Sequence, residues 1–410
     1  MADRSVFSAI APLLAQHYGF TNTQLGILLG PALAVTYGIA AIGFGTLADR
    51  SLPRTLVTGG LATMVVASML MAFANGYAML LAGRILLGLG QAALIPAAMV
   101  LVVRTPFGVA RPQVLATFTG ASALGRSVGL IVGGAVLAAA AAFGIAPKAA
   151  GWRILLLLTT LPAIALIGAC LRMLPAHPPG TIAARPVASP ARRYRARKLD
   201  RQLARELARK LVPHFAVAVG PILLGQSLAA WVPVLLIRQH GFTVAAAATF
   251  FGAILLVMAT GAQYLGGVMT ARGWFARQPI AANALCLLLA QPFLMLATRS
   301  DATWAIGLGL AGATVLGGLA AFVTLYAVQA LSPPANRGAV TGLFLSLVTL
   351  VGAGSGPLLT GILSDTASLS RSANTLGLAL ELVGGGAAAI SLVTAGIMTA
   401  LAARDGAARR

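Results

Sequence analysis

Apolar residues fill this chain in long blocks that recur from end to end, separated by short polar breaks. Blocks of this kind match the length that crosses a bilayer's hydrocarbon, about 20 residues at 1.5 Å each. In hydrocarbon no water pairs with the backbone, so every amide must find its partner inside its own segment and the blocks predict helices. Twelve spans are expected, over 3–17, 23–48, 55–74, 79–103, 114–142, 153–174, 212–237, 244–270, 279–297, 302–331, 338–362 and 376–402. The first is too short to cross, and Asp3 and Arg4 would stand near mid-membrane; this predicts that part of span 1 is missing from the start. The expected fold is an all-α membrane protein of two similar six-helix bundles, 1–174 and 212–410, joined by a polar linker over 175–211.

The linker has two parts. Pro175, Pro178, Pro179, Pro186 and Pro190 rule out regular helix in the first. In the second, Leu199, Leu203, Leu207 and Leu211 recur every four residues among Arg and Lys. That predicts a basic amphipathic helix on an anionic lipid surface, and equally a solvated charge run that fixes topology. The bundles repeat at an offset of 222 residues: Gly19-Phe20-Thr21 maps onto Gly241-Phe242-Thr243, Gly30 onto Gly252, Gly45 onto Gly267 and Arg50 onto Arg272. Single glycine matches are weak in a chain with 47 glycines. These fall at equivalent points of the helix pattern, as parallel carrier repeats do.

Composition agrees with lipid. Of 410 residues 59% are hydrophobic and 9% charged, too few charges to cover a soluble surface. The formal charge of +21 would suit nucleic acid, but its distribution does not. Eleven Lys and Arg fall in 172–210, and Arg50, Arg54, Arg104, Arg111, Arg272, Arg277, Arg337 and Arg404 share that side. The other side takes Lys148, Arg153, Arg238, Arg299 and Arg371. This is the positive-inside asymmetry, and it predicts a bacterial inner-membrane protein with both termini cytoplasmic. Cys170 and Cys286 lie in apolar runs and make neither a disulfide framework nor a metal spacing.

Span 2 ends in G-T-L-A-D-R-S-L-P-R-T, Gly45 to Thr55. This resembles the loop signature of the major facilitator superfamily at Gly45, Leu47, Asp49, Arg50 and Arg54. It departs at Leu52 and Pro53. Three stretches resemble the superfamily's Spinster-like branch: A-D-R-S-V-F-S-A-I-A-P in span 1, G-R-I-L-L-G-L-G-Q-A-A-L-I-P-A in span 4, and G-P-L-L-T-G-I-L-S-D in span 11. The last carries Gly356, Pro357, Gly361 and Asp365. Gln91 and Arg104 stand where the branch has Glu and Asp. Span 5 carries Gly120, Gly129, Gly133 and Gly134, similar to the antiporter glycine spacing without its Pro. The resemblance implies a carrier fold, proton handling at Asp3 and, loosely, lipid-like substrates.

A charge at helix depth costs about 2.5–3.5 kcal/mol or more and marks a pathway by default. Asp3, Arg4, Arg84 and Arg126 are such charges, and only eight acidic residues exist in the chain. Asp3 is the candidate proton carrier. Arg84 stays charged and would hold an anion; snorkelling towards the near membrane surface is its other reading. Gln91, two turns along from Arg84, hydrogen-bonds but does not titrate. Arg126 has no acid at i±3 or i±4, so its partner is a substrate or another helix. Three Arg against one Asp favour an anionic or zwitterionic solute. In the second half Gln226, Trp231, Tyr264, Tyr326, Gln329, His214 and Glu381 are the polar or aromatic candidates. Asp49, Arg50 and Arg54 read as a cytoplasmic latch on the start of span 11 near Gly338. No enzyme motif or phosphate loop occurs, and no cofactor is expected. The expected function is secondary-active transport by a monomer of a small solute. A drug or metabolite exporter and a non-transporting receptor or scaffold are the alternatives.

Overall fold

The computed structural model describes residues 2–50, 53–104, 112–144, 151–173, 190–332, 337–368 and 374–407. Among these every regular element is helical. The first bundle holds α1 (Ala2–Tyr18), α2 (Asn22–Leu29), α3 (Pro31–Arg50), α4 (Pro53–Ala72), α5 (Tyr77–Arg104), α6 (Pro112–Ala142), α7 (Trp152–Leu158) and α8 (Thr160–Met173). The second holds α9 (Pro190–Arg238), α10 (Val244–Ile254), α11 (Thr260–Ala271), α12 (Trp274–Arg277), α13 (Pro279–Arg299), α14 (Thr303–Leu331), α15 (Arg337–Val348), α16 (Gly354–Ser368) and α17 (Thr375–Ala407). Among the described residues eleven stretches are long and apolar enough to cross a membrane; α1, at 17 residues, is the short twelfth.

Four of the crossings are interrupted. Span 2 breaks between α2 and α3 at Gly30-Pro31, where Gly30 adopts φ −115°, ψ −94° and Pro31 has no N–H to continue the ladder. Span 6 divides at Thr159 between α7 and α8. Spans 8 and 11 each contain a five-residue π segment, Leu255–Ala259 and Thr349–Ala353. The basic part of the linker is not a separate element. Its helix runs unbroken from Pro190 through Leu211 to Arg238, so the boundary expected at 211 falls inside a helix. Its side chains before Leu211 lie outside the described residues, as does 174–189.

Successive crossings put the 19–21, 73–76 and 239–243 turns on one face, the Asn22 face, and the linker on the other. The repeat seen in the sequence is a repeat of geometry. Gly19 and Gly241 have φ of 69° and 67°, a left-handed conformation that glycine adopts without strain. Thr21 and Thr243 then cap α2 and α10 with nearly identical backbone angles.

Each bundle has its own core. Phe7, Ile10, Leu14, Leu33, Leu80 and Trp152 anchor the first. The second is built on Leu224, Trp231, Leu235, Phe251, Leu287 and Leu310, and it also takes Ala9, Ala11, Ala15, Leu25 and Leu130 from the first bundle. The bundles meet most extensively along two seams, α2 with α16 and α6 with α10, and also where α1 packs on α9. Small residues bring the backbones together, as lipid-embedded helices require. A Cβ on Gly30 would sit 2.6 Å from Gly354 O, and one on Gly134 would sit 2.9 Å from Ala245 O. Within the first bundle Gly60 and Gly90 approach in the same way: a Cβ on either would stand 2.8 or 2.7 Å from the other's carbonyl oxygen.

Gly90→Leu therefore has no room and should destabilise the fold by about 1–3 kcal/mol. The melting temperature of the detergent-purified protein, followed by tryptophan fluorescence, should fall. An unchanged value would contradict the α4–α5 contact.

Candidate functional site

Polar side chains of the first bundle gather at one depth. Counting 1.5 Å per residue from the Asn22 face, Arg4, Tyr37, Gln91 and Arg126 all lie about 21–24 Å in, and Arg84 about 10 Å. These positions come from four spans, yet they meet. Arg4 Nε–H donates to Gln91 Oε1 at 3.3 Å. The Arg4 guanidinium lies 5.7 Å from the Tyr37 ring centroid, and it is within electrostatic reach of Arg126 and Asp3. Asp3 and Arg4 are partly buried.

Arg84 does not snorkel: it is 1% exposed. Two features accommodate it. The last carbonyls of a helix lack intrahelical partners, and the break after α2 leaves such groups in mid-bundle; Arg84 Nε–H donates to Leu28 O at 2.7 Å. Its guanidinium also lies 4.4 Å from the Phe7 ring centroid, a favourable cation–π arrangement when desolvated. These contacts leave Arg84 Nη1 buried without a hydrogen-bond partner, and Gln91 Nε2 is in the same condition. Two donors with no acceptor thus lie in an interior that holds three guanidiniums and one carboxylate.

The second bundle contributes differently. Trp231 is fully buried, and its indole N–H donates to Pro357 O at 2.9 Å, so here it binds α9 to α16. Gln226 is partly buried. Tyr326 and Tyr264 are exposed at 40% and 78%, while Gln329 is partly buried and His214 buried. Glu381 faces Arg299 in a salt bridge and accepts from Thr298 Oγ1 at 2.6 Å, which makes it a tie between α17 and α13. Cys286 is buried and Cys170 partly buried, both free thiols.

The glycines of the span 11 motif are contact points. A Cβ on Gly356 would lie 2.6 Å from Leu223 O, and one on Gly361 would collide with Asn22 O. Asp365 ends the motif on the Asn22 face, where it accepts from Asn22 N at 3.1 Å and Thr23 N at 2.7 Å. The cytoplasmic latch expected on the linker face falls largely outside the described residues. Gly45, Asp49 and Arg50 lie in α3, and Gly338 in α15, but their side-chain surroundings lie outside the described residues, and so do those of Gly120 and Arg104. Arg54 is partly buried at the start of α4. Sequence reasoning missed Tyr37, Phe7 and the Leu28 carbonyl. An aromatic or a backbone oxygen carries no sequence signal until a helix break and a neighbouring span bring it to a charge.

Residues 1–357 match the family model for the Major Facilitator Superfamily. The chain belongs to the major facilitator superfamily. It is a multi-pass membrane transporter, and solved structures share its fold over almost its whole length. A bacterial homologue of the human lysosomal transporter Spinster, inward-facing and unoccupied, superposes with TM-score 0.74 at 18% identity, covering 96% of this chain and 92% of that one. The inward-facing, occupied form gives 0.74 at 19% identity, covering 98% and 93%. A nucleoside transporter gives 0.66 at 16% identity, covering 97% and 96%. Among curated proteins none matches. The Spinster-like resemblance read from spans 1, 4 and 11 agrees with the first two.

On the Asn22 face of this facilitator, burial pushes the His240 imidazole below its ordinary 6.5, with Asp301 partly opposing the shift. A histidine whose folded pKa is depressed binds fewer protons than the unfolded chain below about pH 6.5, so stability falls as pH drops through that range. The melting temperature should therefore decline between pH 8 and pH 5, and His240→Gln should flatten the slope. An identical slope in His240→Gln would remove this residue as its source.

Proposed function

We propose that this transporter moves a small organic solute with an anionic or zwitterionic group by alternating access, holding that group with Arg84 and Gln91. The observation that carries the reading is the pair of buried, unpaired donors, Arg84 Nη1 and Gln91 Nε2. A buried donor left unmade costs about 1–3 kcal/mol, and more when charged. A carboxylate, phosphate or similar oxygen on the substrate supplies the missing acceptors. Arg4 stands beside Gln91 and orders its amide so that the carbonyl faces Arg4 and the NH2 faces the ligand. Arg126 adds positive charge at the same depth.

Asp3 is the proton-coupling residue in this reading. It lies next to Arg4 in the guanidinium-rich interior, and protonating it there raises the site's positive charge by one. Substrate charge and proton occupancy then compete or cooperate through that shared field. Lys and Arg on the linker face assign that face to the cytoplasm of a bacterial inner membrane. The basic extension of α9 meets anionic lipid there, and the protein works as a monomer.

Counterflow in proteoliposomes, screened with anionic and zwitterionic metabolites and lysolipids, tests this. Arg84→Gln should lower saturable exchange at least ~10-fold, the value of one lost charge-assisted bond. Gln91→Ala should raise KM more than it lowers the maximal rate. Asp3→Asn should keep exchange and lose its dependence on a pH gradient. Full exchange by Arg84→Gln, or pH-driven uptake by Asp3→Asn, would overturn the respective assignment.

A further inference from the structure

The four N–H groups that open α2 are all satisfied, and half of them by the other bundle. Thr21 N donates to Gln24 Oε1 at 3.1 Å, and Gln24 N returns to Thr21 Oγ1 at 3.2 Å. This local capping box leaves Asn22 N and Thr23 N, which go to the two oxygens of Asp365, 342 or 343 positions away on α16. Thr23 Oγ1–H adds a third bond to the same carboxylate at 2.6 Å. Side chains brace the arrangement. Asn22 Nδ2–H donates to Ser364 Oγ at 3.1 Å, and Arg238 Nη1–H from the end of α9 donates to Asn22 Oδ1 at 2.7 Å. A carboxylate at a helix N-terminus also meets the positive end of the helix dipole.

Below this point the backbones of α2 and α16 approach closely at glycines. Gly361, Gly26 and Gly30 lie against Asn22 O, Pro357 O and Gly354 O. Dispersion between close backbones has no preferred partner and little directionality. The bonds to Asp365 do have direction, and they fix the register of the seam at its outer end.

The related seam lacks this device. The 222-residue offset that pairs Thr21 with Thr243 carries Asp365 onto Phe143. Thr243 caps α10 locally, accepting from Ala246 N at 3.2 Å. Phe143, just past the end of α6, is 85% exposed and has no side-chain oxygen to offer the first N–H groups of α10.

We propose that Asp365 is the latch that holds this transporter shut on the Asn22 face, and that the latch belongs to the α2–α16 seam alone. Opening on that face requires α2 and α16 to part, which leaves Asn22 N and Thr23 N to water and strips the carboxylate of three donors. The α6–α10 seam, held by packing at Gly134 and Gly252, parts without breaking such a set. The closed Asn22 face is therefore set by one residue, independently of what the interior site binds.

Pulsed electron resonance between spin labels tests the latch. Asn75→Cys and Thr303→Cys place labels at exposed positions on the Asn22 face of opposite bundles, in a Cys170→Ser background reconstituted in nanodiscs. The unaltered latch should give a dominant short-distance population. Asp365→Ala should raise the long-distance population ~10-fold, the ratio set by losing charge-assisted bonds from one state only. Asp365→Asn, which keeps the shape and one acceptor, should shift it less in the same direction. Thr23→Val, which keeps both backbone donors, should shift it least. A distance distribution unchanged in both Asp365 variants would overturn the proposal, as would a Thr23→Val shift equal to that of Asp365→Ala.

Discussion

A guanidinium in hydrocarbon has to be solvated by the protein itself, and the first bundle is arranged around that demand. Arg84 never loses its charge, so its burial at 1% exposure has to be met by nearby oxygens or π-faces. The bundle supplies a carbonyl from a broken helix and one phenyl ring, then stops short of a full set. Helix ends normally create unpaired carbonyls at the membrane surface, where water takes them. Gly30-Pro31 moves one such end into the bundle, next to a cation that needs it. The break in span 2 and the charge in span 4 thus belong to one arrangement.

The same break serves the seam. Gly30 interrupts the helix at the point where its backbone touches Gly354, so α2 packs on α16 while α3 continues against the π segment that precedes α16. Spans 8 and 11 bend by another means, a π segment placed just beyond Gly252 in one and just before Gly354 in the other. π segments gather at functional positions because they supply a bend without losing the helix. Three of the four seam helices are therefore interrupted within the bilayer, span 2 at the depth of Arg84 and spans 8 and 11 deeper. Contact between the bundles on the Asn22 side and the break in span 2 are set by the same residues.

How much of this was legible in the sequence follows from the range of each signal. Spans and their number are local, written in runs of apolar residues, and the helices agree with them to a few residues except at the start of α9 and the ends of α16 and α17. The repeat was legible because Gly19 and Thr21 encode backbone angles that only a few residue types serve, and Gly241 and Thr243 encode them again. Arg84, Gln91 and Arg4 stood out because charge and amide are rare at depth. Their mutual geometry did not, since Arg4 and Gln91 are 87 positions apart and no local rule relates them. Trp231 and Glu381 show the same limit from the other side. Each looked like a site residue by type and depth, and each is occupied by a neighbour, Pro357 O for one and Arg299 with Thr298 for the other. The continuous α9 was concealed by composition. A charge-rich stretch and an apolar one read as two elements, although helical hydrogen bonding does not depend on which solvent surrounds the side chains.

Spans 2 and 11 run antiparallel, and this alone puts the end of each beside the start of the other. Asp365 closes span 11 and caps the start of span 2. Asp49 lies near the end of span 2, and the sequence reading aims it at the start of span 11. A pair of helices with a carboxylate at each C-terminal end has two N-termini to cap, one on each face of the membrane. If the helices rock about a contact at mid-depth, closing one end draws the other apart, so only one cap is made at a time. The free-energy difference between the two states then depends on the difference between the caps, not on their sum. A strong latch on one face need not lock the carrier so long as the opposite one is of similar strength. That balance gives a reason for two carboxylates among only eight acidic residues in the chain to stand at the two ends of one seam.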